Sequence, residues 1–269
     1  MICEKVYLDP QDDRVFLEVF AVNDSNVAPR DAMLLIPGGG YSELGREEGI
    51  YPALAFLGRG INTFILTYRV DKDAVYPTQL IEAALAIKHI KENAEKYHIN
   101  PNRIFAAGFS AGGHLLGTLA TLYGVAEKEL DLPEDYLKIR GAIYGYPVIT
   151  TDTPTNRGTF KNLLNKPLEE YTEDEARLLS IEKNINSSTP PAFIWHTSED
   201  VIVPINGSLK LCQAYYDAGI PVELHVYPYG PHAITLATDY TSRGNESFIQ
   251  PRAEVWVEEA FKWMKTLDN

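Results

Sequence analysis

The pentapeptide Gly108-Phe109-Ser110-Ala111-Gly112 sets a serine between two glycines, where the apolar run 103–109 gives way to a helix-like run that begins at Ala111. A Gly-x-Ser-x-Gly at a strand-to-helix turn suits a nucleophile. The turn is too tight for a Cβ at either flank, and the serine stands strained at its apex. The helix that follows aims its first N–H groups and its positive dipole end at the serine, where an oxyanion would form. The same five residues also arise by chance in loops rich in Gly and Ser, so the chemistry has to find its other parts.

A serine hydroxyl at its ordinary pKa is a weak nucleophile; it needs a base, and the base needs an acid to fix its tautomer. After a turn of this kind the chain order is Ser, then Asp or Glu, then His. Of the six histidines, His89, His98, His114 and His196 precede any suitable acid in the later half. His225 falls inside the strand-like run 222–227, where its side chain packs on a sheet face. His232 lies just past that run, in Tyr229-Gly230-Pro231-His232-Ala233, and is the expected base. A lone loop histidine is more often a solvated surface residue, but strand-end placement and chain order together favour catalysis. The acid is expected after the strand at 191–196, in Thr197-Ser198-Glu199-Asp200-Val201-Ile202-Val203-Pro204. Asp200 is favoured because the apolar residues 201–203 would shield its bond to the imidazole, with Glu199 as the alternative.

An oxyanion hole needs converging backbone N–H groups, each worth about 3 kcal/mol in the transition state. One is expected from Ala111. Others fit the loop Pro37-Gly38-Gly39-Gly40-Tyr41, whose side-chain-free backbone can approach a substrate closely; a merely flexible loop is the plainer alternative.

These parts require elements to hold them. Residues 6–8 and 14–21 read as an N-terminal hairpin, and 32–37 and 62–68 as strands buried on both faces. Residues 51–57 read as a helix, and 77–97 as a second, amphipathic one that opens at Pro77. Strand 103–109 and helix 111–122 flank the serine. Strands at 139–146, 191–196 and 222–227 alternate with a helix at 206–218, and an amphipathic helix at 252–266 closes the chain. Residues 148–189, rich in Thr, Asn, Pro and charge, read as a cap-like insertion after the strand at 139–147, since they cannot bury a core of their own. The expected fold class is α/β: a mostly parallel central sheet flanked by helices, in one domain over 1–269, with functional loops at the carboxyl ends of strands.

Composition is that of an ordinary globular protein. The 269 residues are 45% hydrophobic and 23% charged, with a formal net charge of −13. Such a surface repels phosphate, which argues against nucleic acid and anionic membrane as partners. A neutral or cationic small-molecule partner fits such a surface better, and a homo-oligomer is compatible with the sequence. Cys3 and Cys212 sit in no metal-binding pattern and read as free thiols, and Glu129, Asp131 and Asp152 have no metal spacing, so neither metal nor cofactor is expected. No signal-like segment opens the chain, and no run reaches the roughly 18 apolar residues of a membrane span, so the sequence reads as cytoplasmic.

Four segments in order, PGGGY at 37–41, GFSAGGHL at 108–115, HTSEDVIVP at 196–204 and YGPHA at 229–233, resemble the α/β-hydrolase esterase/lipase branch, especially its acetylxylan-esterase-like members. The resemblance covers nearly the whole chain. It implies Ser110 as nucleophile, Asp200 as orienting acid and His232 as general base, with Gly39, Gly40 and Ala111 as oxyanion donors. It also implies a short acyl, acetyl, ester of a sugar or xylo-oligosaccharide as substrate. Pro37 stands where hormone-sensitive-lipase-like esterases have histidine, which separates the chain from those lipases without removing a catalytic part. Tyr41, Tyr146 and Val201 are expected around the substrate pocket, although with sixteen tyrosines many must be plain core or surface. His114, four residues past the serine, is expected to pack and hydrogen-bond beneath the site. A serine peptidase or arylformamidase with the same triad, or a non-catalytic ligand-binding scaffold, would be the competing functions.

Overall fold

The computed structural model describes residues 1–70, 72, 75–152 and 157–267. Among the described residues eight strands, numbered in chain order, form a single sheet in the order β1-β2-β4-β3-β5-β6-β7-β8. The hairpin of β1 (Ile2–Asp9) and β2 (Asp12–Ala21) lies antiparallel at one edge, and β2 is antiparallel to β4 (Asn62–Thr67). All further pairs, through β3 (Arg30–Ile36), β5 (Ile99–Phe109), β6 (Gly141–Gly145), β7 (Ala192–Thr197) and β8 (Val222–Tyr227), are parallel. The parallel centre explains the unbroken apolar runs: strands covered on both faces have no solvent side on which to alternate.

Two cores follow from that double cover. On one face α2 (Thr78–Glu92), α4 (Ala111–Glu129) and α7 (Asn206–Asp217) press Leu80, Ile87, Leu115, Leu119 and Leu211 onto Leu34, Ala106 and Ile194. On the other, α1 (Arg46–Leu57) and α8 (Trp256–Thr266) bring Phe56, Trp256 and Met264 against Leu35, Ala107 and Trp195, with the Trp195 and Trp256 rings stacked at 4.9 Å.

Element ends depart from expectation for local reasons. The helix expected over 77–97 breaks at Asn93 (φ −109°) into α2 and the single turn α3 (Ala94–Tyr97), and His98 stops it in a left-handed conformation. Helix α4 passes its expected end at 122 with only a kink there, where Leu122 is non-helical. Beyond the kink Ala126 is buried, and the Glu127 carboxylate accepts the N–H groups of Asp135 and Leu137. At the C-terminus residues 251–255 form turns, and α8 starts only at Trp256.

The segment between β6 and β7 holds α5 (Arg157–Leu164) and α6 (Glu173–Leu178). Its buried Phe160, Leu163, Leu179 and Ile181 join the core on the α2/α4/α7 face.

Candidate active site

The end of β5 and the start of α4 build the turn at Ser110. The sheet's central strand delivers Phe109, and Ser110 takes φ 52° and ψ −121°, a backbone that a non-glycine residue adopts only under constraint. The constraint is local packing. A Cβ on Gly112 would lie 2.1 Å from the Ile36 carbonyl oxygen, and one on Gly108 would lie 2.4 Å from that of Gly112. Backbone thus touches backbone, and only glycine fits. The Ser110 N–H donates to the Gly145 carbonyl (3.1 Å), while the Ser110 carbonyl accepts from Gly113 and Val148.

Two loops at the same sheet end supply the partners. The His232 Nε2 is 2.8 Å from Ser110 Oγ, and its Nδ1 is 2.6 Å from Asp200 Oδ2. With Nδ1–H donating to the carboxylate, Nε2 is left free to accept the serine proton. Asp200 Oδ1 accepts the N–H groups of Ile202 (3.0 Å) and Val203 (2.8 Å). Burial opposes its charge, but the hydrogen bonds from His196 and His232, and the positive charge that His232 carries once protonated, outweigh that penalty and hold the carboxyl well below the usual carboxylate range. The structure thus brings Ser110, Asp200 and His232 into one hydrogen-bonded chain. Glu199 points elsewhere and accepts the Gly230 N–H at 3.1 Å, bracing the loop that carries the histidine. Thr197 Oγ1 donates to the Gly230 carbonyl at 2.7 Å and braces it from the other side.

The glycine loop after β3 faces the serine. Gly39 (φ 120°) and Gly40 (φ 64°) line one cavity of about 310 Å³ with Ser110 and His232. Glu43, Glu47, Thr159 and Arg243 add a polar wall, and Ile202, Val203 and Ala233 an apolar one. Tyr68 holds the Pro37 carbonyl at 2.7 Å, and Asn162 of α5 donates to the Gly40 carbonyl at 2.8 Å. Ala111, fully buried as the first residue of α4, presents its N–H at the helix start beside the serine.

Three expected pocket residues are corrected. Val201 is 78% exposed and lies outside the cavity lining, where Ile202 and Val203 stand instead. Ile202 is itself 61% exposed, so of the apolar triplet Val203 alone is buried, and backbone N–H groups rather than side chains secure Asp200. Tyr41 is buried, its hydroxyl 2.9 Å from His114 Nδ1. Tyr146 is buried behind His232, with the two ring centroids 5.1 Å apart, and does not wall the cavity.

His114 is enclosed as expected: Nε2 donates to the Leu179 carbonyl at 2.8 Å, so Nδ1 accepts from Tyr41. Burial pushes its pKa down to about 4. His225 lies on the sheet face, stacked on Phe193 at 4.8 Å and bonded to Glu223. Sequence reasoning missed two residues. His196, at the end of β7, brings Nε2 to 3.4 Å from Asp200 Oδ2 while bonding the Val203 carbonyl and Ser208, and only its four-residue spacing from Asp200 could have signalled that. Glu48, in the first turn of α1, is buried with one oxygen on the Gly38 N–H at 2.7 Å.

A mostly parallel sheet, a serine at a strained strand-to-helix turn, and an acid and a histidine delivered by later strand ends define an α/β-hydrolase of the esterase/lipase type. More narrowly, the chain belongs to the BD-FAE family, which it matches over residues 17–215. It is 36% identical over 225 residues to endo-1,4-beta-xylanase B of Butyrivibrio fibrisolvens, covering 82% of this chain and 35% of that protein. It is 30% identical over 213 residues to an acetylxylan esterase of Xylanibacter ruminicola, covering 77% and 42%. The chain thus spans less than half the length of these curated relatives. An acetyl ester-xyloside bifunctional hydrolase from Caldicellulosiruptor lactoaceticus superposes with a TM-score of 0.83 at 28% identity, covering 98% of this chain and 96% of that one. No helix among the described residues is long and apolar enough to cross a membrane.

Proposed function

We propose that the protein is a serine carboxylesterase that removes short acyl groups, acetyl above all, from sugars or xylo-oligosaccharides. The observation that carries this reading is the chain of contacts from Asp200 through His232 to Ser110 Oγ. Ser110 Oγ attacks the ester carbonyl carbon as His232 Nε2 takes its proton. The N–H groups of Ala111, Gly39 and Gly40 receive the oxyanion. Collapse expels the alcohol, protonated by His232, and leaves acyl-Ser110. Water, deprotonated by the same base, then releases the acid and restores the serine. Asp200 stays ionised throughout and stabilises the imidazolium.

The cavity supports the substrate class. About 310 Å³ is at the lower end for small-molecule sites and suits an acetyl group with one sugar unit better than a long acyl chain. The polar wall of Glu43, Glu47, Thr159 and Arg243 can exchange hydrogen bonds with a polyol. The names of the xylan-directed relatives point the same way.

Hydrolysis of 4-nitrophenyl acetate is the first test. Ser110→Ala should lower kcat by a factor on the order of 10⁶, and retained turnover would sink the mechanism. Initial rates on acetylated xylose, longer 4-nitrophenyl esters and feruloyl esters test the substrate, and a clear preference for long or feruloyl groups would overturn the acetyl reading.

A further inference from the structure

Glu48 is a carboxyl only 5% exposed, set under the catalytic cavity by α1. A carboxyl in that position loses its hydration, and burial pushes its pKa up, opposed by the charge of His232 and the Gly38 N–H. Nothing in the acyl-transfer steps above uses it. Its contacts go instead to the glycine loop. Oε2 accepts the Gly38 N–H at 2.7 Å, Gly45 N–H donates to the Gly38 carbonyl at 2.9 Å, and Glu48 N–H donates to the Gly45 carbonyl at 2.9 Å. These three bonds close a ring that pins both ends of the loop carrying Gly39 and Gly40.

The fit around Oε2 is close. A Cβ on Gly38 would lie 2.8 Å from it and one on Gly45 would lie 2.9 Å from it, so both glycines leave room for this carboxyl. The other oxygen, Oε1, is buried without a regular hydrogen bond, as is the Tyr146 hydroxyl, and the two groups face each other. Tyr146 in turn packs its ring on His232. Glu48 therefore stands between the loop that would receive the oxyanion and the ring behind the base.

We propose that Glu48 is a positioning residue for the oxyanion hole: its Oε2 fixes the Gly38 amide and thereby sets where the Gly39 and Gly40 N–H groups point. The inference rests on the serine esterase reading above. Ionised or protonated, the carboxyl keeps a lone pair for Gly38, so the clamp does not depend on ionisation. A glutamine, whose amide oxygen also accepts, should replace it.

The test compares Glu48→Ala, Glu48→Gln and Gly45→Ala with the wild type and Ser110→Ala. Three readouts are taken: kcat and KM on 4-nitrophenyl acetate, the Kd of phenylboronic acid, whose serine adduct carries a tetrahedral oxyanion-like oxygen, and thermal unfolding. Glu48→Ala should lower kcat by about 10²-fold, the loss typical of one oxyanion donor, with KM within about threefold and the boronate weakened by a similar factor. Glu48→Gln should recover most of both. Gly45→Ala, whose added methyl displaces the carboxyl end without touching a reacting group, should lower both in the direction of Glu48→Ala, and it decides the matter if Glu48→Ala does not fold. Boronate affinity and kcat within twofold of wild type in folded Glu48→Ala or in Gly45→Ala would overturn the proposal, as would a Glu48→Gln no better than Glu48→Ala. Turnover retained in Ser110→Ala would instead overturn the serine reading itself.

Discussion

Ser110 and His232 meet at 2.8 Å, yet the backbones that carry them are held in different ways. Around the serine, main chain rests on main chain: Gly112 against the Ile36 carbonyl, Gly108 against Gly112, all within the central strands and the buried end of α4. Around the histidine, side chains hold loops. Thr197 and Glu199 grip Gly230, and Asp200 is gripped by two N–H groups and approached by His196. The first arrangement is rigid because no rotamer change can relax it, whereas the second is adjustable because each hold is a side chain with rotamers. The serine mechanism proposed above would use both, with a fixed nucleophile and a base that must accept and return a proton in two successive steps.

Substitutions on the two sides should break in correspondingly different ways. Asp200→Asn keeps the shape but supplies the wrong partner for the imidazole, and kcat should fall by about 10⁴-fold, with Glu199→Gln losing only a few-fold because its amide oxygen still accepts the Gly230 N–H. Equal losses in the two variants would remove Asp200 from the acid role. On the serine side Gly112→Ala should act on folding rather than on chemistry, costing more than about 4 kcal/mol in urea denaturation, because the clash is with backbone and cannot be relieved by a rotamer. An active, wild-type-stable Gly112→Ala would refute the rigid half of the contrast.

His114 provides a test in stability rather than in turnover. Its folded pKa of about 4 lies below the 6.5 of an unfolded histidine, so below pH 6.5 the unfolded chain binds the proton first. Stability from this group is complete above pH 6.5 and is lost as pH falls from 6.5 to 4, by on the order of 3 kcal/mol. Urea midpoints at pH 7 and pH 5 should therefore lie further apart in the wild type than in His114→Gln; an unchanged separation would exclude His114 as the cause.

The serine side was the more legible in sequence, since its strand, turn and helix are contiguous and the two glycines mark the backbone contacts. The placement of His232 and Asp200 beside the serine was legible through order along the chain, which restricts what can reach the end of the sheet. What could not be read was the burial of single polar groups. Glu48 in a helix's first turn looks like an ordinary complement to the helix dipole, and only the tertiary fold turns it inward. Tyr41 and Tyr146 neighbour the site in sequence pattern, yet both take left-handed backbone (φ 58° and 36°) and both side chains enter the core. Val201 misled in the opposite sense, because the apolar triplet after Asp200 is held by its amides and leaves two of its three side chains in water.

The bond from Asn162 to the Gly40 carbonyl has a practical corollary for engineering. Residues 157–164 look like an obvious stretch to randomise when a new specificity is sought, being outside the sheet and close to the cavity. Each library member that loses this amide would also release one side of the glycine loop, so selectivity and turnover would vary together. Screens that keep Asn162 fixed while diversifying Thr159 and its exposed neighbours would let the two properties be tuned apart.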